Sequence, residues 1–260
     1  MRAITSRDNP AFRALQRLAR SAGERRKEGR LLLDGPRLLE AYRAAFGADR
    51  VQVVARASDA ERPEVLRWLN SAASAVVLAD GLFDSITQLE SSSGLLGMVP
   101  VPDADSVPAR QDGFSVLLDG IQDPGNLGSI LRNAAAAGGA CAYLSAGCAD
   151  PWSPRSLRGG MGAQFALSVF DRIDLVRVAA ELPGPLVGLD ARASQSLFET
   201  DLRAASCVFV LGSEGTGISP SLSTLVQRRV RIPMAAGIES LNVGAAAAVC
   251  FYEWRRQRGG

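Results

Sequence analysis

The chain has 260 residues, 47% hydrophobic and 22% charged, and no apolar run approaches the ~20 residues of a bilayer-spanning helix, so composition excludes a disordered chain and a helical membrane protein. It contains no histidine, which removes Ser-His-Asp and Cys-His catalysis, histidine metal sites and the usual neutral-pH proton acceptor. The net charge of +2 is uneven: residues 1–50 hold twelve basic side chains against six acidic ones, a bias that suits a polyanionic partner and that a solvated helix face also produces.

The opening residues, MRAITSRDNP, lack the apolar core of a signal peptide, and the expected location is the cytoplasm. DNPAFRALQRLARSAGERRKEGR spaces Phe12, Leu15, Leu18 and Ala19 at helical intervals and fills the other face with arginine. Lys27 is the single lysine; arginine favours flat, bidentate contacts to phosphate, and GC-rich coding produces the same bias. RLLLDGPRLLEAYRAA reads as a strand, a turn and a helix, VQVVA and AVVLA as buried strands with the helix RPEVLRWLN between them, and SSSGLLGMVPV as a further strand. These elements predict a small α/β unit over residues 1–99. PVPDADSVPARQDG, with Pro100, Pro102 and Pro108 and no periodicity, predicts a linker over residues 100–111.

From residue 112 to 260 strands and helices alternate. FSVLLDG, CAYLS, ALSVF, PLVGLD, CVFVLG and VRIPM read as strands; NLGSILRNAAAAG, LVRVAAEL, PSLSTLVQR and LNVGAAAAVCFYEWRRQ read as helices. This pattern predicts an α/β fold with a mostly parallel sheet covered on both faces, and such sheets bind ligands beyond the carboxyl ends of their strands. Cys207 and Cys250 lie in apolar runs and read as core thiols; with Cys141 and Cys148 they form no CxxC pair, so neither a metal site nor a disulfide framework is expected.

Three loops follow strands. In LLDGIQDPGNLGSILRNAAAAG, Asp123-Pro124-Gly125 is turn chemistry, Asn126 is a candidate helix cap, and Arg132 among apolar neighbours that read as buried calls for an anion or an acid nearby. A cap followed by a surface arginine accounts for the same residues. FVLGSEGTGIS brings three glycines and one acid, Glu214, to a strand end without a P-loop or a GxGxxG opening a long helix. IPMAAGIESLNVGAAAA clusters Glu239, Ser240 and Asn242 before a helix of small residues; Ser240 or Asn242 as an N-cap is the bland account.

Together and in this order, NLGSILRNAAAAG, LGSEGTGIS and IPMAAGIESLNVGAAAAVCFYE resemble the three motifs of the SpoU family of RNA ribose 2′-O-methyltransferases, within the knotted SPOUT methyltransferases, and SPRSLRGGMGAQF resembles the segment between the first two motifs. The resemblance covers residues 112–256; residues 1–99 resemble, less specifically, the RNA-binding domain of the ribosomal-protein L30e type. It implies a carboxyl-terminal catalytic domain over 112–260 with a deep trefoil knot, binding S-adenosylmethionine and acting on structured RNA, ribosomal RNA ahead of transfer RNA, as a homodimer to which both chains contribute site residues, with no metal and no membrane. By motif position it implies cofactor contacts from Leu189, Gly212, Ile232, Met234 and Leu241. It implies Asn126, Arg132, Glu214, Ser240 and Asn242 as the polar active-site residues, with Arg132 foremost, and separates Glu239 from them. Arg7, Arg13, Arg17, Arg25, Arg26, Lys27 and Arg37 are the expected phosphate contacts.

One position departs from the expected pattern. Gln164 stands in GMGAQF where the motif suggests GMGAHF, which makes a required histidine base untenable here. The rival readings are a non-catalytic RNA-binding or ribosome-assembly protein on the same fold and a Rossmann oxidoreductase. The intact polar set argues against the first, and the lack of an early GxGxxG against the second.

Overall fold

The computed structural model describes residues 3–87, 92–107, 113–203 and 206–259. Helix α1 (Pro10–Arg20) starts where the Asn9 side chain accepts from Ala11 N, and it buries Phe12, Leu15, Leu18 and Ala19. The expected continuous helical segment breaks at Ser21, whose extended backbone ends α1 while its hydroxyl caps α2 (Ala22–Glu28) by accepting from Glu24 N at 3.2 Å. Gly29, left-handed at φ 59°, turns the chain into β1 (Arg30–Asp34). Then come α3 (Pro36–Phe46), β2 (Gln52–Arg56), α4 (Pro63–Ser71), β3 (Ser74–Leu78), α5 (Asp80–Asp84) and β4 (Leu95–Pro100). The short α5 has no counterpart in the sequence reading.

These strands form a four-stranded sheet in the order β1-β4-β2-β3, with β4 antiparallel to both neighbours and β2 parallel to β3. The pleat divides its side chains. Leu32 and Val54 face α1 and pack with Phe12, Leu15, Leu78 and Phe83, whereas Leu31, Leu33, Val53 and Ala55 face the other way into a core shared with the second half of the chain.

The second half contains β5 (Ser115–Asp119), α6 (Pro124–Ala137), β6 (Cys141–Leu144), α7 (Pro154–Gly160), β7 (Ser168–Phe170), α8 (Leu175–Glu181), β8 (Leu186–Leu189), β9 (Gln195–Ser196), β10 (Val208–Gly212), α9 (Pro220–Ser223), β11 (Arg228–Arg231) and α10 (Val243–Gln257). The seven-stranded sheet has the order β7-β6-β5-β10-β8-β11-β9, and every strand pairing among its described residues is parallel. Phe209 and Leu211 point into the shared core with α6 and α10; Val208 and Val210 point to α8 and α9. No helix among the described residues is long and apolar enough to cross a membrane. The helix expected over PSLSTLVQR is a single turn, Pro220–Ser223, because the chain must re-enter the sheet at Arg228.

Cys207 and Cys250 are buried core residues, and burial raises the Cys207 thiol to about 12 and the Cys250 thiol further. The segment expected as a linker is laid against the second sheet: Val107 is buried, and Ser168 Oγ donates to Ala104 O at 2.8 Å. Residues 108–112 lie outside the described residues.

The two sheets are joined by more than that segment. Tyr42 and Phe46 of α3 meet the ring of Phe165 edge-on, at centroid distances of 5.4 and 6.1 Å. Arg25 corrects an expectation. Placed among the phosphate contacts, it is only 5% exposed, with Nε and Nη2 donating to Asp150 Oδ2 at 2.8 and 2.6 Å and Nη1 to Leu18 O at 2.5 Å. Its donors are committed inside the molecule, and a buried charge is retained only when paired in this way.

Asp150→Asn keeps the acceptor for Trp152 N but leaves the Arg25 charge uncompensated. It is expected to cost about 3–5 kcal/mol in urea denaturation, and adding Arg25→Met should recover much of the loss. An Asp150→Asn midpoint equal to that of the parent protein would show that the pair contributes nothing.

Candidate active site

β5, β10, β8 and β11 are adjacent and parallel, so their carboxyl ends emerge along one edge of the sheet. The loops after β5, β10 and β11 carry the three sequence motifs and meet there.

The loop after β5 is held from beneath. Gly120 N donates to Ser145 Oγ at 3.0 Å and Ile121 N to Cys148 Sγ at 3.3 Å, while Cys148 Sγ donates to Leu118 O at 3.1 Å. Asp123, not Asn126, caps α6: its Oδ1 accepts from Asn126 N at 2.8 Å, with Pro124 at the first helical position. A capping acid followed by proline is a recognised start signal, and reading Asp123-Pro124-Gly125 only as a turn missed it. The correction frees the Asn126 side chain for other partners.

The loop after β10 folds back on itself. Ser213 N donates to Gly217 O at 3.1 Å and Gly217 N to Ser213 O at 2.9 Å; inside this turn Thr216 N donates to Ser213 Oγ at 3.1 Å. A Cβ on Gly212 would lie 2.1 Å from Gly217 C, so only glycine permits the closure. Ser219 N donates to Asp119 Oδ2 at 2.9 Å and ties the loop to the end of β5. Glu214 stands at the tip of this locked turn.

The loop after β11 ends at Asn242, which caps α10: Oδ1 accepts from Gly244 N at 2.9 Å and Ala245 N at 3.3 Å. Its Nδ2 faces the other way, donating to Asn126 Oδ1 at 2.9 Å and Glu214 Oε1 at 3.4 Å, and Asn126 Nδ2 donates to Glu214 Oε1 at 2.8 Å. One residue from each motif thus enters a single hydrogen-bonded trio, and Glu214 Oε2 has no hydrogen-bond partner among the described residues.

Helix packing allows this. A Cβ at Gly128 of α6 would lie 2.4 Å from Ser156 O and 2.8 Å from Gly160 N of α7; one at Gly244 of α10 would lie 2.9 Å from Ser129 Oγ of α6. Asn133 Nδ2 of α6 donates to Gly244 O at 3.1 Å. The first turn of α10 is therefore held closely against the middle of α6.

Two expected members stand apart from the trio. Arg132 is exposed and makes no ion pair or hydrogen bond among the described residues, so the acid expected beside it is not in this chain's described part. Six helical residues beyond Asn126, it projects about 240° around α6 and about 9 Å along it. Ser240 is exposed on the approach to the cap, also without a hydrogen-bond partner there, and Glu239 is exposed beside it. Gln164 is fully buried, its Nε2 donating to Ser156 O at 3.0 Å and Pro151 O at 3.3 Å, so it braces α7 instead of meeting a ligand.

Leu189, Gly212 and Ile232 lie side by side at the ends of β8, β10 and β11. Met234 is half-buried, while Leu241 is 40% and Ile238 57% exposed. Among the described residues the segment 233–241 makes one backbone hydrogen bond, Ile238 N to Ala235 O at 3.2 Å, which leaves its other polar backbone groups available to a ligand. Apolar side chains, open backbone groups and a nearby carboxylate fit a ligand with an aromatic base and a positive centre.

Of the expected phosphate contacts other than Arg25, all are exposed; Arg13 pairs with Asp8 at 2.5 Å and Arg17 with Glu24 at 3.0 Å.

The model of the SpoU rRNA Methylase family matches residues 113–252. A Synechocystis protein described as an uncharacterised tRNA/rRNA methyltransferase is 32% identical over 98% of this chain and 94% of its own length. The 23S rRNA (guanosine(2553)-2'-O)-methyltransferase RlmP of Bacillus subtilis is 27% identical over 98% of this chain and 100% of its own. The crystal structure of the SpoU methyltransferase AviRb from Streptomyces viridochromogenes, in complex with AdoMet, superposes with a TM-score of 0.85 at 28% identity, covering 96% of this chain and 98% of that one.

Gly212→Ala should force the Ser213–Gly217 turn open, because its Cβ would strike backbone that cannot rotate aside. A loss of about 1–3 kcal/mol and faster amide exchange at Thr216 and Gly217 are expected; unchanged protection at both amides would refute the steric argument.

Proposed function

Because the chain belongs to the SpoU rRNA methylase family, we propose that it transfers a methyl group from S-adenosylmethionine to a ribose 2′-hydroxyl of ribosomal RNA. The observation that carries this reading is the Asn126–Glu214–Asn242 trio at the carboxyl edge of the parallel sheet, beside the strand ends that bear Leu189, Gly212 and Ile232.

When bound, S-adenosylmethionine supplies a methyl group on a positively charged sulfur, the electrophile for an in-line displacement that needs no metal. Gly212, Ile232 and Leu241, with Leu189 and Met234 as neighbours, would hold it largely through backbone groups and apolar contact. Glu214 places a carboxylate at the site, and its position is fixed by two amide donors instead of by solvent. Asn126 and Asn242 are themselves fixed, one by its helix and the other by its capping bonds, so the site is organised before substrate arrives. Ser240 and Arg132 remain available to the RNA. Arginine is a very poor base in isolation, so Arg132 serves to orient the 2′-hydroxyl and the neighbouring phosphate, with proton acceptance confined to the closed complex.

The catalytic unit is a homodimer with a knotted chain. Arg132 projects from a flank of α6 away from its own trio, which suits a role in completing a site together with a second chain. Leu241, Ala245, Ala248 and Tyr252 lie at helical spacing on the outward side of α10 and its approach, a surface of small and apolar residues suited to a two-fold contact. The strand order supports the knot: the chain runs from β8 to the β9 edge, back to β10 inside it, and out again to β11. Residues 1–99 act as an L30e-like RNA-binding domain in which Arg7, Arg13, Arg17, Arg26, Lys27 and Arg37 contact phosphate, in a protein located in the cytoplasm.

Purified protein with radiolabelled S-adenosylmethionine should methylate ribosomal RNA in preference to transfer RNA, at ribose 2′-oxygens. Arg132→Lys should lower kcat about 100-fold or more without changing RNA affinity. Near-normal turnover in that variant would remove the guanidinium from the mechanism, and methylation of transfer RNA alone would replace the substrate.

A further inference from the structure

Asp123 does two things at once. Its Oδ1 caps α6 by accepting from Asn126 N at 2.8 Å, and its Oδ2 forms an ion pair with Arg155 Nη2 of α7 at 3.0 Å. The guanidinium lies beside the first turn of α6: a Cβ on Gly125 would sit 4.0 Å from Arg155 Nε, in ordinary contact. The base of Arg155 is fixed relative to that turn, because α7 and α6 touch backbone to backbone; a Cβ on Gly159 would lie 3.1 Å from Gly125 O and one on Gly128 2.4 Å from Ser156 O.

The pair is not explained by stability. The side chains are 59% and 40% exposed, and exposed ion pairs contribute little. Arg155 also follows Pro154 in the first turn of its own helix, where a cation is not favoured. What the pair does is geometric. It holds the cap carboxylate in one rotamer, the cap holds the first turn of α6, and that turn aims the Asn126 side chain at Glu214 Oε1 and Asn242 Nδ2, 2.8 and 2.9 Å away.

We propose that Arg155 and Asp123 are positioning residues for Asn126, acting through the α6 cap without touching cofactor or RNA. The proposal rests on the methyltransferase reading. Arg155→Met should lower kcat about tenfold while leaving the KM for RNA, cofactor affinity and the melting temperature unchanged. Arg155→Lys should restore most of the rate. Asp123→Asn, which keeps a capping acceptor but loses the charge, should match Arg155→Met, and the double variant should be no worse than either single one.

A second readout does not need activity. In protein labelled with 15N-asparagine, the Asn126 side-chain amide, assigned by its loss in Asn126→Asp, should shift in Arg155→Met and return in Arg155→Lys. A raised KM with unchanged kcat and a weaker salt dependence would mean that Arg155 contacts an RNA phosphate, and would overturn the proposal. So would Arg155→Met with parental kcat and an unmoved Asn126 amide. Parent protein that methylates no RNA would defeat the functional reading, and the amide shift alone would then decide the positioning claim.

Discussion

The approach of α6 to α7 is limited by backbone, and that of α10 to α6 by the small side chain of Ser129 against Gly244. At Gly128 and Gly244 there is no space for even a methyl group, and this closeness decides what the loops can do. Two polar side chains at the starts of different helices reach each other only if the helix ends almost coincide. Asn126, in the first turn of α6, and Asn242, at the cap of α10, meet this condition and hydrogen-bond at 2.9 Å. Larger residues at these contacts would push the helix starts apart and dissolve the trio without altering any of its members.

The trio economises on polar groups. Asn242 spends its carbonyl oxygen on the α10 amides and its amide nitrogen on Asn126 and Glu214, so helix capping and site assembly are one arrangement. Glu214 depends on a different device. Its turn is closed by two backbone bonds and the Ser213 hydroxyl, and it rests on a glycine that no other residue can replace. Preorganisation here comes from helix ends and a locked turn. The same geometry leaves Arg132, on another flank of α6, facing outward.

Strands and helices of the second half were legible because their apolar runs are long and their alternation regular. Phe12, Leu15, Leu18 and Ala19 likewise announced the buried face of the first helix. The failures came from side chains with two possible employers. Asn126 and Asp123 are both good caps three residues apart, and only the proline between them assigns the cap to Asp123. Arg25 lies in a run of basic residues whose other members are exposed, and nothing in its neighbourhood points to Asp150, 125 residues away. Long-range pairing of this kind is fixed by tertiary packing and leaves no local signature. Arg132 was grouped with the trio by motif position, although six residues along a helix do not return a side chain to the same face.

Arg25 also changes how the two halves must be viewed. A basic segment joined to a sheet by a proline-rich stretch suggests a tethered module free to reorient. The structure instead buries an ion pair across the junction, packs α3 on the Phe165 turn and runs one apolar core through both sheets. Such a joint does not flex without exposing apolar surface and stranding a charge. On the functional reading proposed above, the exposed basic residues of α1 and α2 therefore stand at a set distance and angle from Asn126, Glu214 and Asn242. An RNA that engages both must present its phosphates and its target ribose in that same relation. Selection then falls on the shape of the folded RNA more than on the sequence of its bases, as expected of contacts made mainly to backbone.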